Sequence, residues 1–115
     1  SGSLFFGAAE KAMSALHDIG VRPRAVIIDI EAVTVMDVSG LVALDSAIER
    51  LRSDGVLVVV AGVHGQPALL MRRAGLHNIP GKMLLSASLP QALARVRHYL
   101  GETATGRPLL TEQIS

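Results

Sequence analysis

The chain has 115 residues, half of them hydrophobic but only 3% aromatic, and its formal net charge is +1 at pH 7. This length and apolar content suit one compact domain with an aliphatic core. The balance of basic and acidic residues and the scarcity of aromatic rings argue against a nucleic-acid partner, which normally meets a basic face or stacking platforms. Because the chain has no cysteine, disulfides, zinc knuckles and iron–sulfur clusters are excluded. The longest apolar stretch, residues 56–63, is far shorter than the roughly 20 residues that cross a bilayer, so no direct membrane insertion of this chain is expected.

The first half of the chain alternates short apolar runs with amphipathic segments. Residues 4–6 are apolar and predict a first strand, and the helical spacing of apolar residues predicts a helix over 8–19. Residues 25–30 are rich in β-branched side chains and predict a buried strand with Asp29 near its end. Residues 31–40 predict a loop or a second short extended piece, and a long helix follows. The predicted buried face of this helix contains Leu41, Leu44, Ile48 and Leu51.

The second half repeats the pattern. Residues 56–63 are apolar without alternation, which is typical of a strand covered by helices on both faces. Pro67 suits the first turn of a helix that Gly75 ends. Residues 83–86 predict a short strand. A last helix over 88–101 begins at a serine cap and ends at a glycine.

These elements predict an α/β fold with a small, mostly parallel β-sheet flanked by helices, built from a strand–helix unit repeated four times. We expect one domain over residues 1–101 and a loose C-terminal tail over 102–115, where periodicity is weak. The first predicted strand has nothing ahead of it to cover its outer edge. We therefore expect this edge to pair with an upstream strand of a longer natural chain or with a second copy in a homo-oligomer.

The turn before the long helix is the strongest candidate site. In open parallel sheets, ligands and partners meet the carboxyl ends of the strands, and Asp37, Val38, Ser39 and Gly40 stand at such an end. A phosphate on Ser39 would gain from the positive end of the helix dipole and be repelled by Asp37, so Ser39 is a candidate phosphorylation switch. The simpler interpretation, which the residue types alone favour, is an ordinary helix N-cap.

Catalytic interpretations have less support. Asp29, Glu31 and Asp37 stand near predicted strand ends, as in phosphorelay receiver domains, but neither of the two lysines fits the lysine that such a domain needs. A Ser39–His64–Asp29 triad is a second alternative, although Ser39 lacks the Gly-x-Ser-x-Gly pattern of a nucleophile elbow. Without a His pair at metal spacing no metal site is predicted. We expect no enzyme and no cofactor, with His64 as the histidine best placed to face a ligand or partner.

Four segments together resemble the STAS domain family: residues 25–30 (Ala-Val-Ile-Ile-Asp-Ile), 35–41 (Val-Met-Asp-Val-Ser-Gly-Leu), 56–62 and 71–76. The resemblance covers roughly residues 4–100. It implies a non-catalytic regulatory or interaction domain from one of two branches. One branch contains stand-alone anti-sigma factor antagonists, which bind a kinase and are phosphorylated at the serine matching Ser39. The other contains the cytoplasmic C-terminal domains of SulP-type anion permeases.

Residues 4–9, 74–76 and 78–81 resemble the permease branch in particular. The resemblance therefore implies the cytosolic C-terminal domain of a SulP-type sulfate/anion transporter, at the cytoplasmic face of the inner membrane. Its partner would be another protein or the transporter's own membrane domain. The alternative is a stand-alone cytoplasmic anti-sigma factor antagonist regulated by phosphorylation of Ser39. In both cases Asp37, Val38, Ser39, Gly40 and His64 are the expected partner-facing residues.

Overall fold

A computed structural model of the chain describes residues 7–101 and 109–113. Over these residues it contains four helices: α1 (Gly7–Asp18), α2 (Val38–Ser53), α3 (Gly65–Arg73) and α4 (Leu89–Leu100). The four strands are β1 (Ala25–Asp29), β2 (Leu57–Ala61), β3 (Met83–Leu85) and β4 (Leu109–Gln113).

The described strands form one parallel sheet in the order β3-β2-β1-β4. Every residue of β1 and β2 is buried. The register sets Ala25 opposite Leu57 and Asp29 opposite Ala61, so the two strands end together. Burial on both faces explains why neither strand alternates apolar and polar residues. The predicted α/β fold with a parallel sheet and flanking helices is confirmed.

Each face of the sheet has its own apolar core. One face packs against α2 and α3, and the other packs against α4. The first core includes Val26, Ile28, Val58 and Val60 from the strands with Leu44, Ile48, Leu51 and Met71 from the helices. The second includes Ala25, Ile27, Leu57 and Val59 with Ala92 and Val96. The parallel strands therefore run between two helical layers, and their carboxyl ends come to one edge of the sheet.

The C-terminal segment differs from the predicted loose tail, because Leu109–Gln113 form β4 and pair with β1 along its whole length. Main-chain groups on the outer edge of a buried strand need partners, and a five-residue strand satisfies them without any long sequence periodicity. The predicted strand at residues 4–6 and its open edge lie outside the described residues. The domain boundary near residue 101 stays a prediction.

Candidate functional site

The candidate turn forms the beginning of α2. Asp37 is the N-cap, and its Oδ1 accepts hydrogen bonds from the backbone N–H of Gly40 and from the hydroxyl of Ser39, both at 2.8 Å. Asp37 therefore caps the helix, as the simpler interpretation predicts, while Ser39 lies in the first helical turn. Gly40 is buried, so its contribution to the site is the N–H that it donates to Asp37.

The cap also fixes the charge of the turn. The hydrogen bond from the Gly40 N–H, and after it the one from the Ser39 hydroxyl, lower the pKa of Asp37 from its ordinary value of 3.8, because both donors favour the ionised carboxylate. Ser39 is exposed. A phosphate on its oxygen would remove the hydrogen that is donated to Asp37 and place two anionic groups side by side. Modification of Ser39 would therefore change the local charge and the helix cap. It would not alter the packing of the sheet core.

Three exposed valines surround this helix start. Val35 precedes the cap and is 73% exposed, Val38 follows it and is 67% exposed, and Val42 is 57% exposed. Val38 and Val42 are one helical turn apart and share a side of α2. We call these three residues the valine patch. The sequence interpretation included Val38 and missed the other two. Val35 lies in a Val-rich loop that is equally typical of a buried strand, and Val42 lies beyond the turn that the sequence indicates as the site.

The loop before α2 is tied to the end of β1 and to the beginning of α3. Asp29 at the end of β1 is buried, and its Oδ1 accepts from the Glu31 N–H at 2.9 Å. The side-chain amide of Gln66 holds Met36 from both sides, since its Oε1 accepts from the Met36 N–H at 2.7 Å and its Nε2 donates to the Met36 carbonyl at 2.9 Å. Sequence reasoning missed Gln66, because no local pattern shows a contact between residues so far apart in the chain. This clamp fixes the position of the residue just before the cap.

His64 lies at the end of β2, as predicted, but it faces the loop after β1. Its Nε2 contacts the carboxylate of Glu31 and lies 3.4 Å from the Glu31 carbonyl oxygen. Gly62 makes this approach possible: its φ is +77°, and a Cβ there would come within 2.5 Å of the Glu31 backbone nitrogen. His64 is also the N-cap residue of α3, although its side chain makes no capping hydrogen bond.

The structure does not assemble the alternative triad. Ser39 donates to Asp37, His64 contacts Glu31, and the Asp29 carboxylate accepts from a backbone amide. Within residues 7–101 and 109–113, no group of three or more His, Asp or Glu side chains is arranged to hold a metal ion. The same described residues include no helix that is both long and apolar enough to span a membrane.

The sheet lies between two helical layers and forms a small α/β sandwich, with the exposed, capped beginning of α2 at its surface. The family profile of the STAS domain matches residues 1–92, so the chain belongs to the STAS family. The predicted resemblance to the STAS family is confirmed, and membership of this family supports a regulatory domain similar to the anti-sigma factor antagonists. A comparison with curated proteins gives no match.

Proposed function

We propose that this STAS domain is a docking module that binds a protein partner through the beginning of α2. The observation that carries the proposal is the valine patch, since aliphatic side chains gathered in the open around one helix start are typical of interaction surfaces. Asp37, Val38, Ser39 and His64 are the proposed partner-facing residues, and Gly40 supports them from below. Because the cap and the Gln66 clamp already fix the backbone here, we expect little conformational entropy to be lost on binding.

The setting that we propose is the cytosolic C-terminal domain of a SulP-type sulfate/anion transporter. Residues 4–9, 74–76 and 78–81 support it by their resemblance to that branch of the family. The partner would then be the transporter's own membrane domain or a protein bound to it, at the cytoplasmic face of the inner membrane. The domain itself would carry out no chemistry.

A second candidate is a stand-alone cytoplasmic anti-sigma factor antagonist. The exposure of Ser39 and its hydrogen bond to Asp37 favour this candidate, because phosphorylation there would disturb the docking surface directly. The same surface serves both candidates. They differ in what the domain is attached to and in whether a kinase modifies Ser39.

The size and location of the native gene product distinguish the two settings. An antibody blot of soluble and membrane fractions from the source cells provides the measurement. A band several times larger than 12.1 kDa in the membrane fraction is expected for the transporter setting. A band near 12.1 kDa in the soluble fraction would contradict it and make the antagonist the leading candidate.

The docking surface itself is tested with paired variants of whichever native product that blot identifies. Val38→Ser combined with Val42→Ser should abolish recovery of a specific co-purifying protein, while Leu69→Ser, a partly exposed position on α3, should leave it unchanged. For the phosphorylation switch, Ser39→Asp should weaken binding and Ser39→Ala should not. Equal binding by the two Ser39 variants would exclude the switch but not the docking surface.

A further inference from the structure

A cavity lies farther along α2, beyond the valine patch. It is open to the surface, has a volume of about 210 Å³ and is lined by the later turns of α2, the segment that follows α3 and the start of β3. An engineered protein cavity of about 150 Å³ holds a benzene molecule, so this space admits one side chain. We call it the α2–α3 groove. Its lining includes Asp45, Ile48, Glu49, Arg52, His77 and Met83.

The groove combines an apolar floor with a charged rim. Ile48 and Met83 are buried beneath it and belong to the core of that sheet face. At the rim, Glu49 forms an ion pair with Arg52 at 2.9 Å. Asp45 is exposed and has no hydrogen bond or ion pair with any described residue. One carboxylate is therefore left uncompensated, which favours a positively charged occupant.

Two further polar groups, Arg52 and His77, border the groove. Arg52 Nε is buried and has no acceptor among the described residues, and buried donors in native proteins normally have one. His77 Nδ1 lies 2.9 Å from the Gly75 carbonyl oxygen. Because a carbonyl only accepts, Nδ1 carries the hydrogen, and Nε2 of the neutral ring is left as an acceptor. The groove thus offers an occupant two exposed acceptors, at Asp45 and His77.

We propose that the α2–α3 groove binds an arginine side chain of the protein that docks on the valine patch. The aliphatic stem would lie on the apolar floor, and the guanidinium would donate to the Asp45 carboxylate and to His77 Nε2. Arginine fits better than lysine because its planar fork presents several donors to separate acceptors.

The geometry of α2 connects the groove with the valine patch, so this inference rests on the proposed function. Val38, Val42, Asp45 and Glu49 follow one another at helical spacing and form a single line along the helix. A rise of 1.5 Å per residue separates Val38 from Asp45 by about 10 Å. The partner is therefore a protein segment with an apolar contact and an arginine about 10 Å apart.

The first experiment titrates the ¹⁵N-labelled chain with N-acetylarginine amide and follows the backbone amide signals. We expect saturable shifts confined to residues 45–52 and 74–79, with a dissociation constant on the order of 1 mM for so small a probe. N-acetylcitrulline amide, which has the same shape without the charge, should bind at least about fivefold more weakly. Asp45→Asn should weaken the arginine probe by about two- to fivefold. Asp54→Asn, at the end of the same helix, should have no effect.

Three results would overturn the groove: equal binding of the arginine and citrulline probes, shifts outside these two segments, or no effect of Asp45→Asn. The assignment to the docking partner is tested separately, since Asp45→Asn should also lower the partner's affinity. If the probe binds but the partner's affinity is unchanged, the groove is a site for another ligand and the proposed occupant is wrong. If Val38→Ser weakens the partner while the probe does not bind, the proposed function stands and this inference fails.

Discussion

The two sides of α2 contain similar aliphatic residues in opposite surroundings. Leu44 and Ile48 are 0% and 1% exposed and pack against the sheet, whereas Val38 and Val42 are 67% and 57% exposed. Both pairs have the spacing of one helical turn. Apolar residues at helical spacing therefore indicate a contact surface, but the spacing alone does not show whether the sheet or another protein makes the contact. The buried pair holds the fold together, and the exposed pair is available to a partner.

The largest expected effect is on the free energy of unfolding, which should distinguish the buried side of α2 from its exposed side. Leu44→Ala should lower the free energy of unfolding by about 3 kcal/mol, because it removes buried methyl groups and leaves a cavity. Val42→Ala should change it by less than about 0.5 kcal/mol, since the side chain is already in water. Urea denaturation followed by circular dichroism measures both. Similar losses for the two variants would show that Val42 belongs to the core and would remove it from the valine patch.

The next effect concerns what holds the exposed side in place. Gln66→Ala removes both hydrogen bonds to Met36, whose side chain is buried, and should cost about 1–3 kcal/mol of stability. The Met36 amide should then exchange its hydrogen faster, and partner binding should weaken. Gln91→Ala is the matched control, because Gln91 accepts a backbone hydrogen bond from Ala87 beside α4. If Gln66→Ala and Gln91→Ala affected the Met36 amide equally, the clamp would have no specific role in positioning the loop.

The sequence patterns predicted most of the fold but only part of the candidate site. The uninterrupted apolar run over 56–63 predicted β2, because a strand buried on both faces has no polar face. The helical spacing of Leu44, Ile48 and Leu51 predicted α2, because one face of that helix is buried against the sheet. Asp37 was recognisable as a cap because capping is a local interaction. β4 and the Gln66 clamp were missed because each depends on a partner distant in the chain. Val42 lies off the buried face that the sequence predicts for α2, but a single valine off that face does not by itself indicate a partner site.

The smallest expected effect tests the charge at the beginning of α2. Asn caps a helix about as well as Asp, so Asp37→Asn removes the charge and keeps the cap. The hydrogen bonds from Gly40 and Ser39 lower the folded-state pKa of Asp37 below 3.8, so its charge stabilises the fold above that pH and ceases to do so as the pH falls through the folded-state pKa.

We therefore expect the native chain to be slightly more stable than Asp37→Asn at pH 7, and the difference to shrink as the pH is lowered through 3.8 and below. Urea denaturation at a series of pH values measures it, with Asp54→Asn, at the other end of α2, as the control for loss of one carboxylate. A difference that stays constant with pH would mean that Asp37 acts only as a neutral cap. Charge repulsion between Asp37 and a phosphate on Ser39 would still remain, because it needs only an ionised carboxylate. The stabilisation of the fold needs more than that charge, since it also depends on the two hydrogen bonds that Asp37 accepts.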